Sequence, residues 1–118
     1  MEYTAKINNR YEIKVTYSHY RKSLNVYAMK AEYKNFHITL QYDVANDKWI
    51  VDIKNAVMNE ITMLRKEGSF AFVRVSDFIG TAEGSMQLSN ELKDASELSG
   101  FMEDLVSFAE QEYKKTAV

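Results

Sequence analysis

Period-two alternation runs through the first half of this 118-residue chain and constrains its fold more than any other feature. Tyr11, Ile13, Val15 and Tyr17 alternate with Glu12, Lys14 and Thr16, the pattern of a strand with one buried and one wet face. Phe36, Ile38, Leu40 and Tyr42 repeat it against His37, Thr39 and Gln41, and Trp49, Val51 and Ile53 repeat it within 48–54. The stretch 43–47 between them carries the Asp and Asn residues of a turn. Residues 23–33 are also rich in strand formers. Leu24, Val26 and Ala28 stand on one parity there and Tyr27, Met29 and Tyr33 on the other, so the pattern leaves the two faces unassigned.

From Asn55 the spacing becomes helical. Val57, Ile61 and Leu64 at i, i+4 and i+7 predict a short helix over 55–67, with Asn55 as its N-cap and Gly68 as its stop. Strands are expected over 69–88, with Gly80 and Gly84 bracketing a turn. A C-terminal helical region follows over 90–115, carrying Leu92, Ala95 and Leu98 and then the stripe Phe101, Leu105, Phe108, Ala109 and Tyr113. Gly100 divides it, and Ser99 caps the second part. The stripe either packs on the sheet or forms a subunit interface.

Strands that do not alternate with helices argue against a parallel sheet. The expected class is therefore α+β: an antiparallel sheet or a small barrel of the oligonucleotide-binding type, with one short helix after the fourth strand. Sheet-forming sequence spans 2–54, and no boundary, repeat or low-complexity segment interrupts the chain, so 1–118 reads as one domain. With 46% hydrophobic and 27% charged residues, the chain has the balance of a self-folding domain rather than a disordered one.

The absence of cysteine excludes disulfides and thiolate-bound zinc and fits a reducing compartment, so the cytoplasm is the expected location. Charged residues interrupt the first twenty positions, and no run approaches the ~18 apolar residues of a membrane span; neither secretion nor membrane insertion is expected. Catalytic features are sparse. His19 and His37 lack metal-ligand spacing, the acidic residues near 43–52 lack the calcium-loop glycine, and 80–84 lacks the Gly-Lys-Ser/Thr of a phosphate loop. The reading is of a binding protein without cofactor, metal or catalytic residues.

Charge is unevenly placed: residues 1–56 sum to +3 and residues 57–118 to −5, a distribution that points to a polyanionic partner but that solubility alone also produces. Within residues 11–49 cations and flat rings interleave. Single-stranded nucleic acid presents phosphates and unstacked bases together, so a sequence-tolerant binder needs both a positive track and exposed rings. Lys14, Arg21, Lys22, Lys30 and Lys34 are the expected phosphate contacts. Tyr20, Tyr27, Tyr33, His37 and Trp49 are the expected rings, although Trp49 also shares parity with aliphatic residues. An antiparallel sheet with one wet face produces the same alternation with no ligand at all.

In layout, a cysteine-free chain with a Tyr/Lys-rich sheet, one short helix and an acidic terminal helix resembles the small single-stranded-DNA-binding proteins of bacteriophages, lactococcal ones in particular. That resemblance implies a variant of the oligonucleotide-binding barrel that coats single-stranded DNA in replication and recombination. It further implies a homo-oligomer, dimer or tetramer, working in the host cytoplasm. The alternative is a protein-interaction module, a host-takeover inhibitor or immunity protein, that meets a basic partner through acidic residues of 91–112. A small-ligand-binding barrel is a third reading.

Overall fold

Asparagine takes the place of glycine at the turns of this chain. Asn8, Asn9, Asn25 and Asn59, with Lys34 and Asp47, adopt positive φ between 47° and 57°. Asn and Asp tolerate this left-handed region because their short side chains bond locally. In the computed structural model, which describes residues 2–59, 61–75, 82–92 and 97–117, these turns join six strands into an antiparallel meander. The strands are β1 (Tyr3–Ile7), β2 (Tyr11–Arg21), β3 (Val26–Tyr33), β4 (Phe36–Asp43), β5 (Lys48–Asn55) and β6 (Ile61–Gly68), each paired only with its sequence neighbours. Among the described residues three helices follow: α1 (Phe70–Val75), α2 (Ala82–Glu91) and α3 (Glu97–Thr116).

The fold is thus α+β on an open antiparallel sheet. The barrel alternative does not hold: among the described strands β1 and β6 stand at opposite ends of the order and do not pair. α3 crosses the inner face and buries Phe101, Met102, Leu105, Val106 and Ala109. Near its start Phe101 meets Tyr11 and Tyr33, with ring centroids 5.0 Å apart in each case. Near its end Tyr113 packs edge-on against Tyr20, Tyr27 and Tyr42. The apolar stripe therefore lies on the sheet, and the alternative of a subunit interface through Phe101 and Leu105 does not apply. α1 adds Val73, and Phe70 tilted against Trp49, while α2 adds Leu88 and Leu92.

Three expectations are corrected. Residues predicted as a helix over 55–67 form a loop and strand β6, in register with β5 from Trp49↔Gly68 to Asn55↔Ile61. The helical spacing of Val57 and Ile61 has no core behind it, since both are exposed, and pairing with β5 satisfies the β-branched Ile61 and Thr62 instead. Asn55 does accept backbone N–H bonds, from Val57 and Met58 at 2.9 and 3.1 Å, but the element it starts is a turn. The strands predicted over 69–88 are replaced by α1 and α2 where the chain is described; of the turn expected between Gly80 and Gly84, Gly84 lies within α2, and Gly80 and Thr81 fall outside the described residues. Gly100 does not divide the terminal region. It sits within α3 with open space where a Cβ would stand, and Ser99 is inside the same helix. Gly68 does carry a requirement: at φ +157° a Cβ would run into the Phe72 ring where β6 turns into α1.

Candidate nucleic-acid interface

With helices on the inner face, the opposite face of the sheet is the accessible one, and its composition follows from register. A bulge between Val15 and Tyr17 shifts β2 by one residue against β3. Before it, Tyr11, Ile13 and Val15 point inward; beyond it, Ser18 and Tyr20 do, opposite the inward Met29 and Tyr27. Tyr17, His19 and Arg21 are thereby turned to the open face, because a single-residue shift exchanges the faces of everything that follows.

Cross-strand neighbours on that face form rows. Arg21 stands beside Val26, Asp43 and Lys48; His19 beside Ala28, Gln41 and Ile50; Tyr17 beside Lys30, Thr39 and Asp52; and Lys14 beside Glu32, His37 and Lys54. The tyrosine and histidine rings at 17 and 19 meet edge-on, 6.1 Å apart. Two shallow depressions sharing Lys30 cross β2, β3 and β4. One, of about 370 Å³, is lined by Tyr17, His19, Arg21, Leu24, Val26, Ala28, Lys30 and Gln41. The other, of about 260 Å³, reaches from Thr16 to His37, Thr39 and Lys54.

Ion pairing divides the cations of this face. Lys14 lies 3.7 Å from Glu2, Lys48 lies 3.2 Å from Glu67, and Arg65 lies 3.4 Å from both Asp52 and Glu67. Lys48, with Arg65 behind it, holds the Glu67 carboxyl below its usual range. Arg21, Lys30 and Lys54 have no carboxylate partner among the described residues.

Of the residues expected to contact nucleic acid, the structure brings Lys14, Arg21, Lys30 and His37 to the open face, His37 lying 3.5 Å from Glu32. Lys22 is exposed in the β2–β3 turn beside them. The other expected rings are elsewhere. Tyr27 is fully buried, its hydroxyl 2.9 Å from that of Ser18 and its pKa pushed up to about 12 by burial. Tyr33 is 6% and Trp49 1% exposed, each packed among aromatics of the inner face. Tyr20 is half-buried on that same face, donating its O–H to Asn25. The physical reason is register: the odd-numbered residues of β3 face α3, and large rings fill the space beneath a long helix. Lys34 is drawn away as well, donating to the Glu91 carbonyl at 2.7 Å and thereby tying the β3–β4 turn to α2.

Four open-face residues were not singled out as contacts from the sequence: Tyr17, His19, Gln41 and Lys54. Lys54 and Gln41 could have been found, since Lys54 lies on the parity opposite Trp49, Val51 and Ile53, and Gln41 on the parity opposite Ile38 and Leu40. Tyr17 and His19 could not, because nothing in the local pattern marks the bulge. Among the described residues no cluster of His, Asp and Glu could hold a metal ion, and no helix is long and apolar enough to cross a membrane. Compared with known protein families, curated proteins and solved structures, the chain matches none of them.

Proposed function

We propose that this protein binds single-stranded nucleic acid, DNA in the first instance, through the open face of its sheet and with little regard to sequence. The observation that carries the reading is the combination on one surface of Arg21, Lys30 and Lys54, which lack carboxylate partners among the described residues, with the outward rings of Tyr17 and His19. Unpaired cations attract phosphates at no cost in broken ion pairs, and the rings offer flat surfaces to unstacked bases. Strand exposure during replication and recombination in the cytoplasm is the setting we assign to this activity. Coating a strand brings copies side by side, and the outer edges of β1 and β6, each without a described partner strand, are where we place self-association.

The rival use of acidic residues in 91–112 is less favoured because most of them are engaged within the chain. Glu97 pairs with Arg10 at 3.3 Å, Asp104 accepts from Asn8, Glu110 pairs with Lys114, and Glu112 accepts from Tyr3 at 2.9 Å. The test is an anisotropy titration of a labelled single strand at several salt concentrations. Binding whose log affinity falls by about 0.7 per engaged cation for each tenfold rise in salt is expected. No binding at low salt would reject the reading.

A further inference from the structure

Ala28 is the smallest outward side chain in the middle of β3, and its cross-strand neighbours are His19 on one side and Gln41 on the other. At strand spacings of about 4.8 Å, these two residues stand about 10 Å apart with only a methyl group between them. The result is the depression of about 370 Å³ described above, at the small end of the roughly 300–1,000 Å³ range of organic-ligand sites. Val26 and Ala28 form its floor, both partly accessible, and Tyr17 and His19 its wall. Gln41 is exposed, and among the described residues its amide makes no hydrogen bond, so a donor and an acceptor remain on offer at the rim. Arg21 and Lys30, also without carboxylate partners among the described residues, stand at two sides of the same depression.

We infer that this depression is a slot for a single nucleotide unit, in which one base lies over Ala28 against the Tyr17 and His19 rings, its edge reached by Gln41. The flanking phosphates lie on Arg21 and Lys30. The inference rests on the proposed single-strand binding and adds to it a fixed place for a base. A flat apolar floor and ring wall suit a base's faces, the amide suits any base edge by rotation of its torsion, and the two cations match the charge on either side of one nucleotide. A polyanion without bases, such as an abasic strand, has nothing to fill the slot.

The experiment titrates two labelled 12-nucleotide strands, one ordinary and one abasic along its length, against the native protein and against Ala28→Leu and Gln41→Ala, with circular dichroism confirming that each variant is folded. The native protein is expected to bind the ordinary strand about tenfold or more tightly than the abasic one, the size of one base stack. Ala28→Leu fills the floor and is expected to bring the ordinary strand down to the abasic level while leaving the salt slope unchanged. Gln41→Ala is expected to lose part of the difference, and it stands as the test should Ala28→Leu fail to fold. A folded Ala28→Leu that keeps the native preference for the ordinary strand would overturn the slot and leave the open-face reading standing, whereas equal, salt-dependent affinity of the native protein for both strands would overturn the slot and the ring stacking and leave only the phosphate contacts. Failure of both strands to bind at low salt would overturn the two together.

Discussion

The two faces of this sheet are made from the same short stretches of chain and share almost nothing in chemistry. On β3 the inward series Tyr27, Met29, Ala31 and Tyr33 is buried beneath α3, while the outward series Val26, Ala28, Lys30 and Glu32 keeps access to solvent. Rings and cations that interleave in the sequence are thus separated by the thickness of a sheet. An aromatic and basic composition says little about a ligand until register states which of the two reaches the surface. Here the cations mostly do and the rings mostly do not; His37 does by its place on β4, and Tyr17 and His19 do because of one bulge.

The inner face should respond to substitution as a packed interior. Leu105→Ala, at a fully buried position beneath α3, is expected to cost about 2–5 kcal/mol and to show as a large fall in Tm by calorimetry. A loss within the roughly 0.5 kcal/mol typical of surface sites would contradict the packing of α3 on the sheet. The open face should behave in the opposite way. Arg21→Ala combined with Lys30→Ala is expected to leave Tm nearly unchanged but to weaken single-strand binding on the order of tenfold or more at low salt, with a slope smaller by about 1.4. An unaltered affinity would remove those two residues from the interface.

A subtler contrast appears in alkali. Burial pushes the phenol of Tyr27 up to about 12, with the hydrogen bond to Ser18 acting in the opposite sense, and burial with Asp47 raises Tyr42 to about 12. A tyrosine in the unfolded chain ionises near 10. The stabilisation from keeping these phenols neutral is therefore fully present below pH 10 and is lost as pH rises from about 10 to about 12. Thermal melts should show Tm falling across that window, less steeply in Tyr27→Phe than in the native protein; parallel curves would mean that Tyr27 ionises as freely folded as unfolded. The smallest effect is expected at Lys34. Its tie to Glu91 is a partly exposed contact, so Lys34→Ala should cost no more than about 1 kcal/mol and leave nucleic-acid affinity unchanged. A clear drop in affinity would return Lys34 to the interface.

What could be read in advance follows the range of the interactions involved. β4, β5 and the first half of β2 announce themselves because alternation is local, and α3 does so through the spacing of Phe101, Leu105 and Ala109. The α+β class and the antiparallel sheet follow from those elements. β6 escaped because its spacing imitates a helix, while its conformation is decided by pairing with β5, a contact between separate segments. The faces of 23–33 escaped because apolar residues occupy both parities and only the pairing with β2 and β4 distinguishes them. The basic half of the candidate site was legible as charge. Its aromatic half was placed correctly only at His37, because Tyr27, Tyr33 and Trp49 are rings a long helix can cover, and the bulge that exposes Tyr17 leaves no mark at Thr16.

The most direct test of the central claim is an NMR titration of the isotopically labelled protein with a short single strand, following backbone amides on both faces. The account predicts shifts concentrated at Tyr17, His19, Ala28, Lys30, Gln41 and Lys54, with α3 little affected. Shifts concentrated along Glu97–Thr116, or none anywhere at saturating strand, would contradict it.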